Sequence, residues 1–146
     1  MEPQSNKFQF LDNYFIFIFG FQLIGLVTAS YFKSEIASFL PAIFQNYNDA
    51  VVKIIIVSSF GVLSVKVIQS YFAKKASQKN YDEKVSAFTK LTLISLTILA
   101  ASNVFVLIGF ISERSTLFAA VYIILLVLQF AYRPTEKMFN RIFNKK

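Results

Sequence analysis

The first long apolar run, from Phe15 to Phe32, covers about 18 residues and carries Gln22 as its only strongly polar side chain. Three more runs of similar length follow: Val51–Phe72, Leu91–Ile111 and Thr116–Tyr132. No other feature narrows the fold so far, because about 20 apolar residues are what a helix needs to cross the ~30 Å hydrocarbon core of a bilayer. The opening of the first run, "NYFIFIFGFQ", sets Phe15, Phe17, Phe19 and Phe21 at every second position, which is the period of a strand. The intervening Ile16, Ile18 and Gly20 are not polar, so the alternation separates no wet face from a dry one. Strands usually end after about 4–8 residues, and a lone strand in lipid leaves its backbone groups unpaired. The ten Leu, Ile, Val and Phe side chains between Tyr14 and Ser30 outweigh the one glutamine. The run reads as a helix.

Val27–Ala29, "VTA", resembles a signal-peptide cleavage site. The apolar stretch is longer than the usual ~7–15 residues, and Glu2 and Asp12 flank it alongside Lys7. A retained helix is the expectation.

Composition agrees with a membrane class. Of 146 residues, 55% are hydrophobic and 16% charged, against roughly a quarter charged in soluble domains. So short a soluble chain could not hide that much apolar surface. Cysteine and histidine are both absent. Disulfide and thiolate chemistry are therefore excluded, and so is the commonest metal ligand and general base. No metal, cofactor or catalytic residue is expected. A net charge of +7 would suit nucleic acid, but its distribution suits membrane topology better, and no nucleic-acid partner is expected.

In a four-span arrangement, Lys7, Lys66, Lys74, Lys75, Lys79, Lys84, Lys90, Arg133, Lys137, Arg141, Lys145 and Lys146 fall on one side, and only Lys33, Lys53 and Arg114 on the other. The positive-inside rule then places both termini and the 73–87 connection in the cytoplasm. Tyr14, Tyr31, Tyr71 and Tyr132 stand at run ends, as an interfacial aromatic belt would. The membrane itself is not specified; a bacterial inner membrane or an ER-type membrane is favoured.

The connections differ in kind. Ser112–Ser115, "SERS", is a tight turn that makes an antiparallel hairpin of the third and fourth helices. Asn80 and Glu83 have the spacing of an N-cap with a carboxylate three residues on, so the third helix should begin near Tyr81. In "SEIASFLPAIFQNYND", Ile36, Phe39, Leu40, Ile43, Phe44 and Tyr47 share one helical face. This predicts an interfacial helix over about 34–47, bent at Pro41. In the tail, 135–146, Met138, Phe139, Ile142 and Phe143 line one face among Lys137, Arg141, Lys145 and Lys146. That pattern predicts a basic amphipathic helix lying on the anionic cytoplasmic leaflet. The expected fold is thus a single all-α integral membrane domain: a four-helix transmembrane bundle with an outer interfacial helix and a C-terminal amphipathic helix.

No Asp or Glu falls inside any of the four runs, which argues against a carrier built on a buried carboxylate. Lys53 and Lys66 bracket Ile54–Val65, only about 18 Å of helix. Lys53 snorkels outward easily, because helical side chains lean toward the N-terminus. Lys66 must lean against that tilt, which makes it the candidate contact for an anionic lipid head group or an ion. Ser59 and Ser70 share its face, yet nothing marks either as a nucleophile and no Gly-rich or oxyanion element is visible. The chain is expected to be no enzyme.

Each run also carries small or uncharged polar residues. They are Gln22, Gly25 and Ala29 in the first and Ser58, Ser59, Gly61 and Ser64 in the second. The third sets Ser95, Ser102 and Gly109 on one heptad stripe beside Asn103, and the fourth sets Tyr122 and Gln129 seven apart. As interhelical contacts each is worth about 0.6 kcal/mol; as a wet path they would serve a channel or carrier. The expected role is an accessory, scaffolding or assembly subunit that meets other membrane proteins or its own copies. An oligomeric channel, carrier or permeabilising effector is the rival, and a lipid-binding or membrane-shaping protein the third reading.

Overall fold

A computed structural model of the chain describes residues 3–38, 44, 46–76 and 78–143. Five helices follow one another: α1 (Pro3–Ala37), α2 (Tyr47–Ala76), α3 (Tyr81–Glu113), α4 (Thr116–Ala131) and α5 (Glu136–Phe143). No strand occurs among the described residues, so the Phe alternation has no strand consequence. The helices overrun the apolar runs at several ends, because polar flanking turns continue a helix wherever caps or water satisfy them. Asn80 caps α3 by accepting from the Glu83 amide at 3.0 Å, as its spacing predicts. Ser115 caps α4 by accepting from the Leu117 amide at 3.3 Å. Between them Arg114 takes a left-handed backbone (φ 52°), and its amide donates to the Phe110 carbonyl at 3.0 Å. That residue closes the tight turn.

Three helical stretches are long and apolar enough to cross a membrane: Phe8–Phe32 within α1, α2 and α3. A fourth crossing results if α4 and α5 are counted as one span broken by a bend of 77°. Alone, the 16 residues of α4 extend only about 24 Å.

The four long helices do not form a closed square. α3 is the hub, packed against α1, α2 and α4, and 44% of its apolar stretch is buried against 17% for α1 and 22% for α2. Two apolar clusters result. One gathers Ala29, Ile54, Val106, Phe110, Phe118 and Tyr122 toward the α3–α4 turn. The other gathers Leu11, Val85, Phe88, Leu91, Phe139 and Phe143 at the end where α1 begins, α5 docks and α2 connects to α3, here called the basic end. Small residues set the α2–α3 seam: a Cβ on Gly61 would meet the Ser102 side chain, and one on Gly109 would meet Ile54. A Cβ on Gly20 would meet nothing within 4 Å. Gly61→Ala should therefore destabilise the protein by about 1–3 kcal/mol through overpacking. Gly20→Ala should be neutral or stabilising by about 0.5–1 kcal/mol through helix propensity. Thermal unfolding in micelles, followed by circular dichroism, checks both signs.

Both surface helices depart from expectation. The segment 34–47 is no single helix: α1 bends at Phe32 (φ −115°, ψ 22°) and ends at Ala37, Phe44 is not helical, and Tyr47 already opens α2. Ile36 and Phe44 pack on the cluster near the α3–α4 turn, Phe44 edge-on to Phe105 with ring centroids 5.6 Å apart. Phe39, Leu40, Pro41 and Ile43 lie outside the described residues. The Tyr47 ring stacks on Phe118 at 5.7 Å. The apolar periodicity is real, but where it is described it serves the protein's own core.

The tail corrects in the same direction. α5 is amphipathic, with Thr135 as its cap accepting from the Met138 amide at 3.2 Å. Met138, Phe139 and Phe143 are buried, and Ile142 packs beside them against the helices' basic ends. A leaflet-lying helix would present these side chains to lipid. Here burial against Leu11, Val85 and Phe88 uses up that face.

Candidate functional site

Along α3 the two apolar clusters are separated by a layer in which Ser95, Ser102 and Asn103 are buried. Asn103 is the centre. Its Nδ2 donates to Gln22 Oε1 of α1 at 3.1 Å and to Gln129 Oε1 of α4 at 2.9 Å. The Tyr122 hydroxyl of α4 donates to the Gln22 carbonyl at 2.8 Å. Gln22 is 4% exposed, Asn103 and Gln129 not at all. One asparagine thus ties three helices at one depth, and both of its N–H donors are used.

Half of each amide remains without a protein partner: Gln22 Nε2, Asn103 Oδ1 and Gln129 Nε2 are buried and make no hydrogen bond. The same holds for Ser58 Oγ, Gln69 Nε2, Thr92 Oγ1 and Ser95 Oγ. Buried groups left this way cost about 1–3 kcal/mol each, and polar atoms of this kind are where buried water binds. Ser102 avoids the cost by donating to the Ile98 carbonyl at 3.0 Å. Chemically the layer offers donors and acceptors but no charge and no nucleophile activated by a base. Among the described residues, no group of three or more His, Cys, Asp or Glu side chains stands close enough to hold a metal ion.

The sequence-predicted residues divide accordingly. Gln22, Asn103, Tyr122 and Gln129 come together. Ser102 and Gly61 meet at the α2–α3 seam, and Gly109 meets Ile54. Gly25 approaches Leu107 of α3, and Ala29 is buried nearby in the cluster. Ser64 and Ser58 are half-buried on α2, whereas Ser59 and Lys66 are exposed and stand apart from the layer. Lys53 leans one turn back along α2 to Asp49 (2.8 Å), in the direction expected of it.

Two features escaped the sequence reading. Thr92 extends the α3 stripe by one turn before Ser95, a spacing that was there to be read. The second is the pair of Asp12 and Arg133. Arg133 Nε and Nη2 donate to the two carboxylate oxygens at 2.7 and 2.8 Å, a bidentate clasp from the start of α1 to the α4–α5 corner. These residues flank the first and last apolar runs, so placing both chain ends on one side brings them level. Asp12→Asn and Arg133→Gln should each lower the unfolding temperature, the two together should cost no more than one, and high salt should shrink the effect. A thermal double-mutant cycle at two salt concentrations measures this.

Compared with known protein families, curated proteins and solved structures, the chain matches none.

Proposed function

We propose that this chain is a non-enzymatic multi-pass membrane protein, with both chain ends in the cytoplasm, that acts as an accessory, scaffolding or assembly subunit of a larger membrane complex. One observation carries the reading. α1 and α2 bury themselves mainly against α3 and leave broad apolar faces open, including Phe17, Phe21, Ile24 and Tyr31 on α1 and Ile56, Phe60, Leu63 and Val67 on α2. In a bilayer such faces meet either acyl chains or the helices of a partner, and almost no mass projects into water to do other work. Photoreactive residues at Phe21 and Phe60, with extraction of the native membrane in mild detergent, test it. Discrete protein adducts are expected from both positions and none from Leu99, which is buried. Lipid adducts alone, on a chain that migrates only as the monomer, would count against it.

The unpartnered amides of the central layer favour a second reading, an oligomeric channel or carrier in which water reaches Gln22, Asn103 and Gln129. Flux from reconstituted liposomes that disappears in Asn103→Leu would select it. Docking of the α5 apolar face inside the protein takes support from a membrane-shaping role.

A further inference from the structure

At the basic end, a cavity of about 480 Å³ is lined by α2, α3 and the connection between them. Lys75, Lys79 and Lys90 line it, with the hydroxyl-bearing Tyr71 and Ser86 and a single carboxylate, Glu83. Glu83 is engaged by Lys79 at 3.5 Å, and Lys75 Nζ lies 3.3 Å from the Tyr71 hydroxyl and 5.5 Å from its ring centroid. Three ammonium groups against one carboxylate leave the cavity cationic, and ammonium and hydroxyl donors around one volume are the groups that bind phosphate oxygens.

Its position argues for the source of the phosphate. Lys90 is the last charged residue before the apolar run of α3 begins at Leu91. The register fixed by Gly61 against Ser102 and Gly109 against Ile54 sets Tyr71 opposite Thr92. The cavity therefore sits where the apolar helix surface gives way to the charged end. From Tyr71 an exposed apolar track runs away from the basic end through Val67, Leu63 and Phe60, and Ile94 continues the same level from Lys90 on α3. A soluble phosphate has no use for that track. A phospholipid does, with its head group in the cavity and its acyl chains along α2 and α3.

We infer that the α2–α3 cavity is a binding site for one anionic phospholipid, held through its phosphate by Lys75, Lys79 and Lys90. This rests on the membrane reading above, and the lipid's acyl chains share the Phe60–Val67 face of α2 with any docking partner, while the open face of α1 is untouched by it. It also moves lipid recognition away from Lys66, which is exposed and does not line the cavity.

The test reconstitutes the full chain into nanodiscs of mixed phosphatidylcholine and phosphatidylglycerol and counts retained lipids by native mass spectrometry. One phosphatidylglycerol per chain is expected in preference to phosphatidylcholine. Lys75→Gln/Lys79→Gln/Lys90→Gln should weaken that retention about tenfold or more. Lys66→Gln/Lys84→Gln/Lys137→Gln removes the same charge outside the cavity and should leave it unchanged. Equal loss in both triple variants, or no preference for phosphatidylglycerol in the wild type, overturns the site. Glycerol 3-phosphate displacing the lipid at comparable concentration also overturns it, reassigning the cavity to a soluble phosphate. A chain that fails to enter the nanodisc overturns the membrane reading as well, so the two failures are told apart.

Discussion

Phe139→Ala is expected to detach α5 and cost about 3–5 kcal/mol of stability, the usual range for deleting a buried aromatic side chain. Phe139 is 1% exposed and is the hub of an aromatic nest. Its ring centroid lies 5.7 Å from Phe8, 5.6 Å from Tyr81, 5.5 Å from Phe88 and 5.4 Å from Phe143. The three edge-on pairs, with Phe8, Tyr81 and Phe88, each add about 0.5–1.5 kcal/mol beyond area burial. α5 itself has only eight residues, too few to hold a helix unaided, so once its anchor is gone it should melt. The unfolding temperature in micelles should fall, and the 132–135 corner should become readily cleaved by protease. Lys137→Gln, on the exposed side of α5, should change neither. Were α5 instead resting on lipid, Phe139→Ala would barely alter stability in detergent.

Asn103→Leu should carry the second large effect. The substitution keeps the branched, four-heavy-atom shape but deletes both bridging hydrogen bonds, leaving Gln22 Oε1 and Gln129 Oε1 buried without donors. A loss of about 1–3 kcal/mol follows from that desolvation, with about 0.6 kcal/mol per bond as the floor in a membrane reference state. Replacing all three amides together, Gln22→Leu/Asn103→Leu/Gln129→Leu, should recover most of the stability, because removing every partner strands none. Chemical or thermal unfolding in micelles would show this as strong non-additivity. Additive losses would mean that the three amides do not act as one layer.

Much of this was legible in the residues. The four apolar runs located the four long helices, since only a helix satisfies so long a greasy backbone by itself. Asn80 and Glu83 announced the start of α3 because a cap is a local, short-range device. Gln22, Asn103, Tyr122 and Gln129 stood out as the costly polar groups in otherwise apolar runs, and those four converge. What the sequence withheld was partnership. The apolar stripes of 36–47 and of α5 were visible, but a stripe says that a face is buried, not against what. Lipid and the protein's own core make the same demand on Met138, Phe139, Ile142 and Phe143. The hub position of α3 was likewise hidden, because which helix sits in the middle depends on contacts between residues far apart in the chain. The cavity between Tyr71 and Lys90 needs the α2–α3 register, which no single run contains.

The chain has no native cysteine, so single cysteines placed at Gln78, Glu136 and Ser112, all exposed, can be labelled without background by a membrane-impermeant maleimide. With the protein in sealed cells, Ser112→Cys should label from outside, while Gln78→Cys and Glu136→Cys should label only after the membrane is opened. Labelling of Gln78→Cys and Ser112→Cys from the same side would contradict crossing helices and, with them, every assignment built on the bilayer.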